Sequence, residues 1–266
     1  MKNIRYILAQ CGHGQTKKGV ERGPMELYQH LKSNKIPFST EKELFYDNTG
    51  YQQLYQHVTN SFSNNEIPIT LGGDHSISLG TVPAVLDKFK DDISIIWIDA
   101  HADINTLETS TTKNLHGMPV ASIFKLMDPI VQSNYQPTYD QIIYLGLRDI
   151  DEPEQKILDK HDITYYSQKN IQQIGMPTIL KYVNKLTKQN VHISFDIDAM
   201  DPSLISATGT PVENGMNLTE VESLISNIKE NKTITSIDFV EYNPLLHDKN
   251  NNTLQNSLKI LEMLTK

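Results

Sequence analysis

Apolar runs of strand length alternate with amphipathic runs of helix length along nearly the whole chain. The pattern predicts strands at residues 4–9, 67–71, 93–98, 141–147, 163–166, 191–197 and 234–240, and helices at 25–32, 52–63, 76–88, 119–127, 154–161, 177–188, 219–230 and 253–265. Several strands are uninterrupted, as in Ile95-Ile96-Trp97-Ile98, which suits a strand covered by helices on both faces. Alternation of this kind predicts a parallel α/β sheet. The helix over 219–230 shows the local logic: Thr219 can cap it, Glu222 completes a capping box, and Val221, Leu224, Ile225 and Ile228 form one apolar stripe.

No internal repeat and no Pro/Gly/Ser-rich linker interrupts this pattern. The two irregular stretches, 103–117 and 201–218, each follow a predicted strand end, where open α/β sheets place their ligand sites. The expectation is one domain over residues 1–266. The charge balance, 24 Lys+Arg against 32 Asp+Glu for a net −8, argues against nucleic acid or an anionic membrane as the main partner. A single cysteine, Cys11, excludes a disulfide framework and a Cys-rich metal site, and its position suggests a buried residue at a strand end. With no signal-peptide-like N-terminus and no apolar run near membrane-span length, the chain is expected to be soluble and cytoplasmic.

Three short segments concentrate acids and imidazoles. Leu71-Gly72-Gly73-Asp74-His75-Ser76 runs from a strand through glycines into a helix; taken alone, it reads most simply as a turn that caps the helix. In Trp97-Ile98-Asp99-Ala100-His101-Ala102-Asp103, the alternation of an extended chain would point Asp99, His101 and Asp103 the same way. In Ser194-Phe195-Asp196-Ile197-Asp198-Ala199-Met200-Asp201-Pro202, Asp196 and Asp198 share a face at the end of an apolar strand with no Lys or Arg nearby in the segment. Burying two carboxylates so close costs several kcal/mol per ion unless a positive group compensates, and a metal ion would do so. Asp201-Pro202 reads as a turn. Together the segments offer His75, His101, Asp99, Asp103, Asp196 and Asp198. Mixed O/N donors without thiolate suit Mn²⁺, with Fe, Co, Ni or Zn as competitors. Six ligands are better matched to two ions than to one, and such a pair makes hydroxide from water near neutral pH.

These segments, Gly-Gly-Asp-His-Ser at 72–76, Asp-Ala-His-Ala-Asp at 99–103 and Ser-Phe-Asp-Ile-Asp-Ala-Met-Asp-Pro at 194–202, resemble the three metal-binding signatures of the ureohydrolase family. The likeness runs from the loop at 19–24 to Glu241-Tyr242-Asn243-Pro244, and is nearest to the family's arginase branch. It implies a three-layer α/β/α domain around a mainly parallel sheet of about eight strands. By resemblance, His75, Asp99, Asp103 and Asp196 would hold one Mn²⁺, and His101, Asp99, Asp196 and Asp198 the other, with Asp99 and Asp196 bridging.

The implied reaction is hydrolysis of the guanidinium group of L-arginine to L-ornithine and urea by a metal-bridging hydroxide. Asn105, Ser110, Thr112 and Asn114 would meet the α-carboxylate, and the 146–154 segment, with Asp149, Asp151 and Glu154, the α-amino group. Asp151 is the chief contact expected there, and Glu154 one made through water. Glu241 would clamp the guanidinium, Thr210 would lie beside it, and His116 would relay a proton with a pKa close to working pH; Asp103 and Glu241 join His116 as the catalytic group. On their own, Asn105, Ser110 and Thr112 read equally as ordinary loop polars, and Glu241 as a solvated strand-end acid.

Two departures stand out: Leu107 replaces the usual proline, and Lys113 replaces a small residue, adding charge and bulk beside the carboxylate loop. The resemblance implies a homo-oligomer, trimer or hexamer, while the end of the chain at Lys266, directly after its last helix, argues against tail-linked subunits. The rival readings are another ureohydrolase acting on agmatine, guanidinobutyrate or formimidoylglutamate, or a non-catalytic member of the family.

Overall fold

The structure, a computed structural model, describes residues 3–33, 41–45 and 50–266, with the side chains of 41–45 and Lys249 excepted. The described strands are β1 (Asn3–Gln10), β2 (Glu41–Phe45), β3 (Glu66–Gly72), β4 (Ser94–Ile98), β5 (Ile142–Leu147), β6 (Tyr165–Ser167), β7 (Asn190–Asp196) and β8 (Thr233–Val240). They form one eight-stranded sheet in the order β2-β1-β3-β8-β7-β4-β5-β6, with every neighbouring pair parallel. The helices are α1 (Gly23–Ser33), α2 (Gly50–Ser63), α3 (Ser78–Phe89), α4 (Pro119–Ile123), α5 (Glu152–Lys160), α6 (Gln168–Ile174), α7 (Met176–Leu186), α8 (Leu218–Asn231) and α9 (Asn252–Thr265).

The uninterrupted apolar strands are covered on both faces. In β4, Ile96 and Ile98 pack in a core shared with α1, α6, α7, α8 and α9. Ile95 and Trp97 pack in the opposite core with α2, α3, α4 and α5. This is the three-layer α/β/α arrangement expected. No helix among the described residues is long and apolar enough to cross a membrane.

All seven predicted strands are present. The eighth, β2, reads Glu-Lys-Glu-Leu-Phe and pairs only with β1, so its charged edge position left no apolar run to detect. Helix α6 was likewise unexpected: only Gln168 and Ile171 of its seven residues are buried. The helix expected over 119–127 stops at Ile123, and Lys125 beyond it is left-handed at φ 55°. The cap of α8 also differs from expectation. Asn217, not Thr219, is the N-cap: its side chain accepts from the Glu220 amide at 3.0 Å, and Glu220 Oε2 accepts from the Asn217 amide at 2.9 Å. Asparagine is a strong cap, and it starts the helix two residues earlier without moving the buried stripe of Val221, Leu224, Ile225 and Ile228.

Candidate metal centre and substrate pocket

The acids and imidazoles gather at the C-terminal ends of neighbouring strands. After β3, a side chain at Gly73 would meet the Cys11 carbonyl oxygen at 1.7 Å, so only glycine lets this turn approach so closely. The Gly73 amide donates to Ala9 O at 2.8 Å, and its carbonyl accepts from the Glu241 amide at 2.8 Å. The ends of β1, β3 and β8 are thereby tied together. Asp74 then caps the short turn His75–Ile77, accepting from Ser76 N at 3.0 Å and from Gly14 N at 2.7 Å. The capping reading of this segment holds, and the cap itself aims His75 inward. Cys11 is buried just past the end of β1, as expected.

The convergence of Asp99, His101 and Asp103 does not come from strand alternation. The strand ends at Ile98, the chain bends, and Asp103 is left-handed at φ 51°. Asp99 is held by its amide, which donates to Leu145 O at 3.1 Å. Asp196 ends β7, and Asp198 lies in the one-turn helix that follows, its amide donating to Asp196 Oδ1 at 2.9 Å.

Two ligand clusters result. His75 Nδ1 lies 3.1 Å from Asp99 Oδ2, 3.1 Å from Asp103 Oδ2 and 3.2 Å from Asp196 Oδ2. That nitrogen is fully buried and has no properly directed hydrogen bond. His101 Nδ1 lies 3.4 Å from Asp99 Oδ1 and 3.3 Å from Asp198 Oδ2. Asp99 thus divides its two oxygens between the clusters, while Asp196 gives Oδ2 to the first and accepts from Asp198 N with Oδ1. His75, Asp99 and Asp103 in one group, and Asp99, His101 and Asp198 in the other, have donor atoms close enough to share an ion.

The electrostatics show a site short of positive charge. Burial and the neighbouring Asp99 raise Asp103 to about 6. Burial, with Asp198 and Asp99 close by, pushes Asp196 well above the carboxylate range. Burial alone would depress His75 and His101, yet the surrounding carboxylates outweigh it and raise both well above an ordinary imidazole. Asp99, by contrast, is held below the carboxylate range by His101 and His75 against its burial, and a buried imidazole nitrogen without a directed hydrogen bond, ringed by three carboxyl groups, fits a divalent cation. Supporting groups complete the fit: His75 Nε2 lies 2.8 Å from Ser194 Oγ, Trp97 stacks on the His75 ring at 4.2 Å, and Trp97 Nε1 donates to Asp99 Oδ2 at 3.0 Å.

Beside the clusters is a cavity of about 190 Å³ walled by His101, Asp103, Asn105, His116, Gly117, Asp149, Asp151, Glu154, Asp196 and Thr210. It is smaller than the ~300 Å³ at which drug-sized pockets begin, and suits one small polar molecule. Of the expected substrate contacts, Asn105, Asp149, Asp151, Glu154 and Thr210 line it, while Ser110, Thr112, Asn114 and Glu241 are not among its walls. Ser110 Oγ instead accepts from Lys113 N at 3.0 Å, and Thr112 Oγ1 from Asn114 N at 3.3 Å. Lys113 Nζ donates to the Leu107 carbonyl, so the two departures from the family pattern touch across this loop. Asp151 caps α5, accepting from Glu154 N at 2.9 Å, and its other oxygen accepts from Asn105 Nδ2 at 2.8 Å. Glu154 accepts from Ile104 N at 3.2 Å and is raised to about 8 by burial and the nearby acids. Asp149 Oδ2 lies 3.5 Å from His101 Nε2, behind the ligand. Thr210 Oγ1 donates to Asp198 Oδ2 at 2.9 Å.

Glu241 is not a solvated strand-end acid. It is 1% exposed, left-handed at φ 72°, and accepts from His75 N at 2.9 Å and Gln15 Nε2 at 2.6 Å. Burial would raise it, but these bonds and His116 outweigh that and hold it below the usual range. His116 departs from the expectation of a near-neutral pKa: burial pulls it down, but Glu241, Asp103 and Asp74 together raise it to about 9.

The sequence pattern of the Arginase family matches residues 2–265. The chain belongs to the arginase family. It is 33% identical to the arginase of Saccharomyces cerevisiae, across 93% of this chain and 90% of the yeast protein. With the arginase of Entamoeba histolytica it shares 34% identity across 99% and 97% of the two chains. Among solved structures, Bacillus subtilis arginase superimposes with a TM-score of 0.90 at 30% identity, covering 99% of this chain and 98% of that one. The Entamoeba histolytica arginase crystallised with L-ornithine gives the same TM-score, identity and coverage.

Several groups around this arginase-family site were not foreseen. Ser194 and Trp97 each stand two residues before a candidate ligand, Asp196 and Asp99, so the period of the strand was an available signal. Gln15 sits in a glycine-rich loop with no pattern to mark it. Arg148 lies within a segment noticed for its acids alone.

Proposed function

We propose that this arginase-family chain works as one catalytic domain over residues 1–266, hydrolysing L-arginine to L-ornithine and urea with two Mn²⁺ held by His75, Asp99, Asp103, Asp196, His101 and Asp198. The observation that carries the reading is the His75 Nδ1 atom, ringed by three carboxylate oxygens at 3.1–3.2 Å, joined through Asp99 to a second cluster and opening on an acid-walled cavity. When bound, two divalent ions supply the positive charge that ionises water near neutral pH.

The chain's own residues do the rest. Glu241, buried and held ionised, takes the planar guanidinium through charge-assisted hydrogen bonds. His116 carries a proton at neutral pH and is within 3.3 Å of Glu241. As water adds to the guanidinium carbon and the bond to the side-chain nitrogen of ornithine breaks, His116 gives its proton to that nitrogen. Thr210 steadies Asp198. Asp151, with Asp149 and Glu154 beside it, receives the α-amino group, and the loop bearing Asn105, Ser110, Thr112 and Asn114 the α-carboxylate. The acidic walls favour a cationic substrate. A cytoplasmic setting belongs to the same reading, and the lone buried Cys11 suits a reducing compartment.

Urea release with Mn²⁺ against a panel of guanidines, with metal analysis of the same sample, tests this. Two ions per chain and arginine preferred over agmatine on the order of 10²-fold or more in kcat/KM are expected, because agmatine leaves the carboxylate loop unpaired. Comparable agmatine turnover would identify another ureohydrolase, and absence of urea a non-catalytic member.

A further inference from the structure

Arg148 follows β5 and lays its guanidinium on main-chain oxygens. Nη2 donates to Asp198 O at 2.6 Å, Met200 O at 3.2 Å and Val212 O at 2.8 Å. Nη1 donates to Gly146 O and Ala199 O, both at 3.2 Å, and Nε to Glu213 O at 3.1 Å. The planar five-donor fork is the side chain able to serve so many acceptors at once. Three of them, Asp198, Ala199 and Met200, are the carbonyls of the turn that carries the Asp198 carboxylate. The backbone of Arg148 and Asp149 holds the neighbouring turn: their amides donate to Ala100 O at 2.9 and 3.0 Å, between Asp99 and His101.

We propose that Arg148 is a positioning residue that acts on the second metal ion more strongly than on the first. His101 and Asp198 are the members of the second cluster that the first does not share, and Arg148 anchors the turns of both. Of the first cluster, His75 and Asp103 receive no hydrogen bond from Arg148, and Asp196, the expected bridge, is reached only through the amide of Asp198. Removing the fork frees the Asp198 turn directly, while the first ion's cage feels it only through the Asp198 amide on Asp196. The inference rests on the two-ion reading above.

The test uses the full-length protein, stripped of metal and titrated with Mn²⁺, with stoichiometry read by metal analysis and the ion pair by its exchange-coupled EPR signal. Wild type is expected to take up two ions. Arg148→Lys should bind the first with near wild-type affinity and the second about 10–100-fold more weakly, so that isolated-ion EPR replaces the coupled signal at equal metal. Equal weakening of both ions, or of neither, overturns the inference. Arg148→Gln is run beside it; if both variants fail to fold by circular dichroism, Arg148 serves the fold and not the second ion, and the inference is overturned. A wild type that binds fewer than two ions overturns the two-ion reading itself, and the role of Arg148 with it.

Discussion

His116 Nδ1 lies 3.3 Å from Glu241 Oε1, and that same oxygen accepts the amide of His75 at 2.9 Å. One carboxylate therefore joins the imidazole proposed to carry the proton to the backbone of the His75 turn. Because His116 is raised to about 9, its proton is present below that pH and is lost as pH climbs through it. We expect kcat to fall on the alkaline side for this reason. His116→Asn should keep its metal, lose roughly 10²-fold in kcat, and lose the alkaline limb. Manganese lost along with activity would show that His116 supports the ions instead.

Asp151 serves two masters, the cap of α5 and the cavity wall. Asp151→Asn keeps an oxygen for the Glu154 amide but removes the charge. A charge-assisted contact worth about 1.5–3 kcal/mol corresponds to roughly a 10–150-fold loss in kcat/KM, with Tm nearly unchanged. Asp151→Ala should show the same kinetic loss and, in addition, about 1 kcal/mol of lost stability from the missing cap. Unchanged kcat/KM in Asp151→Asn would remove Asp151 from the substrate site.

Metal affinity should rise with pH. His75 and His101 are both raised well above an ordinary imidazole by the acids around them, so at neutral pH protons occupy the nitrogens a metal needs. Binding must expel them, and each expelled proton steepens the affinity by up to about one decade per pH unit. Titration calorimetry in two buffers of different ionisation enthalpy measures the release directly. An affinity that does not vary between pH 6 and 8 would contradict the ligand assignment.

The cap of α8 offers a stability test away from the site. Asn217→Ala should cost about 1 kcal/mol, while Thr219→Ala should change stability by no more than about 0.5 kcal/mol. Denaturant melts distinguish them, and the reverse order would return the cap to Thr219.

Much of this molecule could be read from its residues. The continuous apolar strands announced a sheet covered on both sides, and the three acid-and-imidazole segments named all six ligand candidates. The route by which those ligands meet was less legible. Period-two alternation suggested an extended Asp99–Asp103, whereas a left-handed Asp103 folds the segment back, a conformation that nothing in its immediate neighbours signals. Burial was the other hidden quantity. Glu241 looks like an ordinary strand-end acid until the fold sets Gln15, 226 positions earlier, against it. The edge strand β2 was missed because its Glu-Lys-Glu sequence offers no apolar pattern.

The strand order makes the sheet a ruler. β8, β7, β4 and β5 lie side by side, at a spacing of about 4.8 Å per strand, and are followed in that order by Glu241, the Asp196–Asp198 turn, the Asp99–Asp103 turn and the cavity-wall acids Asp149, Asp151 and Glu154. On the proposed reading, a guanidine laid across them would be measured from head to tail in strand widths. Changes in the loop after β5 or the 103–117 segment can therefore retune which tail is accepted, leaving the end of the ruler where the bond breaks untouched.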